Sequence, residues 1–155
     1  MKNIIHMRPD LAIVMRNVES LIPYENNARV HPKRQLKKLM ESISVHNIIN
    51  PLIIDEKGMV LCGHGRLEAA KALGMREVPT IMLEHMSLAD KRAYVIADNA
   101  LAEQAEWDRS KLAHEFESLL ELNYDLEQTG FDTLDIDSLL VLDDKATAVP
   151  ADDVV

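Results

Sequence analysis

The chain has 155 residues, 47% hydrophobic and 28% charged, which suits a globular domain that buries roughly two-thirds of its unfolded surface without disulfides or metal. No run approaches the roughly 18 apolar residues of a membrane span, residues 1–9 are too weakly apolar for a secretory signal, and the single cysteine, Cys62, fits a reducing, cytoplasmic setting. The net charge of −9 is uneven: residues 1–97 hold 14 Lys/Arg against 10 Asp/Glu (+4), and residues 98–155 hold 3 against 16 (−13), which opposes non-specific DNA binding by the whole chain.

Residues 1–11 read as an N-terminal arm. Residues 13–21 are apolar and β-branched, a strand that ends at Ile22-Pro23. Residues 24–29 are polar and loop-like. Pro32 suits the first turn of a helix, and Leu36, Leu39, Met40 and Ile43 then mark one helical face. Lys33, Arg34, Lys37 and Lys38 fall off that stripe, a basic patch that meets either solvent or phosphate. After Asn50-Pro51 comes a short strand, Leu52-Ile53-Ile54, a turn at Glu56-Lys57-Gly58, and a return strand, Met59-Val60-Leu61-Cys62. A helix follows from Arg66 and stops at Gly74, then a strand over 78–83. Ser87 with Asp90 resembles a capping box for a helix reaching about Ala102. Trp107-Asp108 reads as a packing anchor plus N-cap for an amphipathic helix carrying Leu112, Phe116, Leu119 and Leu120. Gly130-Phe131 is a turn, 134–142 a last short helix, and 143–155 a linker or tail. The fold class is α+β: a small mixed β-sheet with packed helices, then an α-helical C-terminal part. The domains follow as arm 1–11, main domain 12–105, acidic helical extension 106–142 and tail 143–155.

The segment that carries chemistry is Cys62-Gly63-His64-Gly65-Arg66-Leu67-Glu68-Ala69-Ala70. A strand delivers two glycines to the start of a helix. Glycine lets backbone N–H groups approach a ligand, a helix N-terminus carries roughly half a positive charge, and Arg66 adds a planar fork of donors. This is an anion site, best suited to nucleotide phosphates; a tight turn with a solvated arginine is the alternative. His64 is held between glycines, where it could donate to phosphate or act as acid or base. Glu68, one turn on, is either a base or a surface carboxylate. His31 and His46 read as solvent-facing, and Cys62 as a small buried hydrophobe. No His/Cys/Asp group has zinc spacing.

Four ordered motifs carry a family resemblance. Gly63-His64-Gly65-Arg66-Leu67-Glu68-Ala69-Ala70 resembles the Gly-Glu-Arg-Arg-x-x-Ala box of the ParB/sulfiredoxin superfamily. Asn27-Ala28-Arg29 resembles its Asn-Pro-Arg, Ser42-Ile43 with Asn50-Pro51-Leu52 its Ser-Ile…Gln-Pro stretch, and Ala97-Asp98-Asn99-Ala100-Leu101 its Glu-Asn-x-Gln-Arg phosphate box. Within that superfamily the chain is similar to ParB-like N-terminal (ParB-like nuclease) domains of phage and mobile elements, many of which precede a DNA methyltransferase.

The resemblance implies a sulfiredoxin-like fold over about residues 14–105 and a nucleoside triphosphate, CTP or ATP, with Mg²⁺. It places phosphate on Gly63, His64, Gly65 and Arg66, assisted by Arg29 and Asn99. It associates Asn99 with Mg²⁺ and phosphate, and Asp98 with hydrolysis and the metal. His64 and Gly65 stand where the family box has a glutamate and an arginine, which removes one carboxylate and one cation. The function implied is a nucleotide-binding regulatory or adaptor domain tied to DNA partition, modification or transcription. Its partners would be DNA, through Lys33, Arg34, Lys37 and Lys38, and a DNA-methyltransferase domain or a second subunit. One alternative is an enzyme of the same superfamily, a nuclease, nucleotide hydrolase or small-molecule kinase using Asp98, His64 or Glu68. The other is an interaction module with a vestigial site.

Overall fold

A computed structural model describes residues 10–147, with side chains through Val141. It divides into two compact units, with the boundary between Gln104 and Ala105.

The first unit is an α+β layer. Strand β1 (Ile13–Asn17) is shorter than its apolar run, because Asn17 turns the chain: its Oδ1 accepts the Glu19 N–H at 2.8 Å and Val18–Ser20 wind into a 3-10 turn. Pro32 is the residue before α1 (Lys33–His46) rather than within it. Leu36, Leu39, Met40 and Ile43 turn inward as their spacing demands. Strands β2 (Leu52–Asp55) and β3 (Val60–Cys62) form the expected hairpin, and α2 (His64–Ala72) begins two residues before Arg66. Strand β4 (Glu77–Leu83) follows, then α3 (Leu88–Glu103), capped by the Ser87 hydroxyl accepting the Asp90 N–H at 3.1 Å.

The sheet order is β1-β4-β2-β3. β4 pairs antiparallel with β1 and parallel with β2, so the sheet is mixed. Parallel pairing requires a crossover, and β3 and α2 provide it. Leu52, Ile54, Val60 and Val78 are fully buried against Leu67, Ala69 and Ala70 of α2 and the apolar stripe of α1. That core holds the β3–α2 junction in place. A second cluster, Leu61, Cys62 and Val95, seats α3 on β3 with Tyr24 and Tyr94 around it.

The second unit consists of α4 (Arg109–Glu121) and α5 (Thr133–Thr147), joined through a short 3-10 turn (Leu126–Thr129) and Gly130. Asp108 caps α4 as its position suggested, accepting the Lys111 N–H at 3.1 Å. Phe116, Leu126, Ile136 and Leu139 form the core, and Phe131 meets both Trp107 and Phe116 edge-on at 5.5 and 5.3 Å. Helix α5 runs to Thr147, five residues past the expected end at Leu142. Residues 1–9 of the expected arm and 148–155 of the expected tail lie outside the described residues. Among the described residues no helix is long and apolar enough to cross a membrane.

Candidate functional site

The strand β3 ends at Cys62 and the chain must reverse into α2 at once. Gly63 does this with φ 99°, in the left-handed region. A Cβ there would stand 2.9 Å from Leu52 Cγ, so no other residue fits without movement of the core. Gly65, in the first turn of α2, is buried under the His31 ring and Leu39; a Cβ would lie 3.0 Å from each. His31 is therefore half-buried rather than free in solvent: its ring packs on Gly65 and its Nδ1 lies 3.0 Å from Gln35 Oε1. His46 is exposed, as expected.

The amides of His64, Gly65 and Arg66 belong to the first helical turn, where the helix supplies no acceptors, and Gly63 has no side chain to cap them. Arg66 folds back beside Gly63. Its guanidinium donates to the Pro51 carbonyl at 3.3 Å, while its Nε is buried with no partner among the described residues. Burial lowers its pKa, and the carboxylate of Asp98 opposes that shift. Asp98 also meets the Cys62 thiol, which Tyr94 contacts as well. The Cys62 pKa is pushed up to about 12 by burial and then by Asp98, so no thiolate is available at neutral pH.

His64 is a bridge. Its Nε2 accepts the Tyr24 N–H at 3.3 Å, and its ring bonds the backbone of Val60. Burial, then the nearby His31, lowers its pKa and keeps the ring neutral. The Nε2 lone pair is thus engaged by Tyr24.

The loop tied down at Tyr24 forms one wall of a cavity of about 620 Å³, and α3 forms the other. Arg29 and Asn99 meet across it: Arg29 donates to Asn99 Oδ1 at 2.9 Å, and Asn99 Nδ2 donates to the Val95 carbonyl at 2.8 Å. Glu103 lies 3.8 Å from the same guanidinium, and Arg92 adds a second cation to the lining. The structure thus joins Arg29 to Asn99 at the cavity, while Asp98 meets Cys62 and acts on the charge of Arg66 beside the glycine turn. Asp98 and Asn99, neighbours in sequence, serve different clusters. Among the described residues no three His, Cys, Asp or Glu groups are placed to hold a metal ion. Glu68 is exposed on α2, and Lys33, Arg34 and Lys37 are exposed on α1 with Lys38 half-buried beside them.

Sequence reasoning missed Arg92 and Glu103 of the lining. It also missed an ion cluster outside the cavity, in which Lys91 Nζ lies 2.9 Å from Asp55 Oδ2 and 3.0 Å from Glu56 Oε1, with Asp55 fully buried. The signal for Asp55 was available, since an acid that closes the apolar run Leu52-Ile53-Ile54 needs partners inside the fold.

Residues 10–100 match the model of the ParB N-terminal domain, and residues 110–155 match that of the ParB-methyltransferase HTH domain. The chain is 43% identical over 86 residues to the ParB-like nuclease domain-containing protein YnaK of Escherichia coli (strain K12), covering 56% of this chain and 99% of that protein. It is 30% identical over 67 residues to the probable chromosome-partitioning protein ParB of Rickettsia typhi, covering 43% of this chain and only 23% of the other. Among solved structures, the C-terminally truncated ParB of Caulobacter crescentus complexed with CTP-gamma-S superposes with a TM-score of 0.65 at 17% identity, over 76% of this chain and 68% of that one. The chain belongs to the ParB N-terminal domain family.

Proposed function

We propose that residues 12–105 form a nucleotide-binding regulatory domain whose ligand is a nucleoside triphosphate, CTP or ATP. The observation that carries the reading is the loop over residues 24–29. One end of it is tied through Tyr24 to His64, at the open amides of α2, and the other brings Arg29 to Asn99 at the cavity. Phosphates would take the amides of His64, Gly65 and Arg66 and the guanidinium of Arg66, with Arg29 and Arg92 supplying charge from the cavity side. The fold shared with a ParB crystallised with CTP-gamma-S supports this reading. In it His64 positions the loop. Mg²⁺ would enter with the triphosphate.

The same reading ties the domain to DNA partition, modification or transcription. Lys33, Arg34, Lys37 and Lys38 would touch DNA, and the match to a ParB-methyltransferase HTH domain supports a DNA-methyltransferase partner. Isothermal calorimetry with CTP, ATP and GTP, with and without Mg²⁺, tests the ligand. Arg66→Ala should weaken binding roughly 10- to 100-fold, as expected for loss of hydrogen bonds between charged groups. Unchanged affinity in Arg66→Ala overturns the proposal.

A second reading is an enzyme, a nuclease or nucleotide hydrolase. It is favoured by the likeness to YnaK and by the Asp98 carboxylate beside Arg66. Phosphoryl chemistry needs chiefly positioning and charge neutralisation. Asp98 is the better base, because its charge acts on Arg66 at the glycine turn, whereas the Nε2 of His64 already accepts a hydrogen bond. Nucleotide or DNA turnover that is lost in Asp98→Ala and kept in Glu68→Ala is the expected result; turnover that survives Asp98→Ala excludes this role.

A further inference from the structure

The sheet order β1-β4-β2-β3 leaves two outer strands, and they differ. The outer edge of β3 is covered by the chain around Ile22, whose N–H donates to the Gly58 carbonyl at 2.9 Å and whose carbonyl accepts the Val60 N–H at 2.8 Å. The outer edge of β1 has no such cover among the described residues.

The groups β1 offers follow from its ladder with β4. Met15 stands opposite Pro79, which has no N–H, so that pair is an unbonded one. The bonded pairs then fall on Val14 with Thr80 and Arg16 with Val78. The Val18 N–H donating to the Arg76 carbonyl at 2.9 Å continues the same phase. Ile13 and Met15 therefore direct their N–H and carbonyl groups away from β4, toward the open edge. Their side chains are 64% and 53% exposed, and Leu11 is 44% exposed in the approach to the strand. Solvent-facing edges are ordinarily guarded by charge, proline or a bulge. This one reads Leu-Ala-Ile-Val-Met over residues 11–15, with Arg16 its only charge before Asn17.

We propose that a second copy of this chain adds its β1 antiparallel to this edge, about a two-fold axis at Ile13, making one sheet continuous through two protomers. The open bonding groups belong to odd-numbered residues, so odd must face odd, and three central registers satisfy this. Centred on Val14, the pairing sets Arg16 opposite Ala12; centred on Met15, it sets Arg16 opposite Val14. Asp10 stands in a turn just before the strand; centred on Ile13, with that turn drawn out into the strand on pairing, the register sets Arg16 opposite the second copy's Asp10, twice by symmetry. Neither Asp10 nor Arg16 has an ion-pair partner among the described residues, and the Nε of Arg16 is buried with no hydrogen-bond partner among them. On the other face the same register lays Ile13 against Ile13 and Leu11 against Met15, an unbroken apolar row of the kind that stabilises cross-strand pairs. Self-complementarity in charge and in apolar contact selects a copy of this chain as the occupant.

The test is the full chain in sedimentation velocity and in cysteine cross-linking. At the axis the two Cα atoms would be about 5.5 Å apart, within the reach of a disulfide. Oxidised Ile13→Cys should run as a covalent dimer. Met15→Cys, whose thiols would be roughly 14 Å apart at about 3.4 Å per residue, should not. The wild-type chain, with Cys62 buried, should give no covalent dimer. Without cross-linking, wild type should sediment as a dimer, Asp10→Arg as a monomer that still unfolds cooperatively, and Asp10→Arg with Arg16→Asp as a dimer again. A chain that stays monomeric across micromolar to millimolar concentration, its edge bare or covered by its own residues 1–9, overturns the proposal. So does equal cross-linking of the two cysteine variants, or a dimer that persists in Asp10→Arg.

Discussion

The His64 ring ties together two segments far apart in the chain. Its neutral ring links Tyr24 to Val60, and burial together with His31 lowers its pKa below the ordinary 6.5. The sign follows from proton binding: below 6.5 the unfolded chain protonates this histidine before the folded chain does, so stability falls as pH falls through that window. His64→Gln keeps an acceptor and removes the titration. The fall in melting temperature on acidification from neutral pH should therefore be smaller in His64→Gln than in wild type, by thermal denaturation monitored at each pH. Cys62 gives a second prediction at this scale. With its pKa pushed up to about 12, it should resist iodoacetamide in the native state and react on unfolding, as read by mass spectrometry. Cys62 was legible as a buried residue from its place on an apolar strand. Its contacts with Tyr94 and Asp98 were not, because they cross from β3 to α3.

Helix α3 carries Lys91, Val95 and Asn99 four residues apart, so all three lie along one face. Lys91 binds Asp55, Val95 enters the core, and Asn99 reaches Arg29. The ion cluster thus anchors the helix that delivers Asn99 to the cavity. Asp55 is subject to burial, which would raise its pKa, but hydrogen bonds from Lys91, Met59 and Lys57 lower it below 3.8. Its contribution is present above 3.8 and lost as pH falls through the folded value; that of Lys91, whose pKa is raised by Asp55 and Glu56, is present below 10.5 and lost as pH rises through its folded value. Lys91→Met should lower the melting temperature at neutral pH by leaving Asp55 buried and without its counter-charge. The gap from wild type should narrow as acid protonates Asp55, and a gap that does not change with pH would show that packing alone is lost. The helices themselves were legible from spacing and caps. Ser87 and Asp108 do as their positions suggested, whereas the strand over 13–21 was overread because Asn17 ends it by a local hydrogen bond that competes with the ladder.

For the whole chain, charge divides as the units do. Residues 105–155 hold 14 Asp/Glu against 3 Lys/Arg, although residues 110–155 match a ParB-methyltransferase HTH domain. An acidic surface repels phosphate, so the DNA contact proposed for α1 should be weak and local. In fluorescence anisotropy at low salt with a labelled duplex, Lys33→Glu with Lys37→Glu should weaken binding and reduce the slope of log affinity against log salt by about two. Glu115→Lys with Glu117→Lys should strengthen it. Binding that ignores the first pair places the DNA contact elsewhere.

The order of elements, the helix faces, the glycine turn and the uneven charge were all written in local sequence, because each depends on residues within one or two turns of each other. The pairing of β2 with β4 across a crossover, the Arg29–Asn99 contact over 70 residues and the Lys91–Asp55 pair over 36 were decided only when the core closed. Such contacts carry no local period: they exist because burying Leu52, Ile54 and Val78 in one layer brings distant loops and α3 together, and the free energy that places them belongs to the core as a whole.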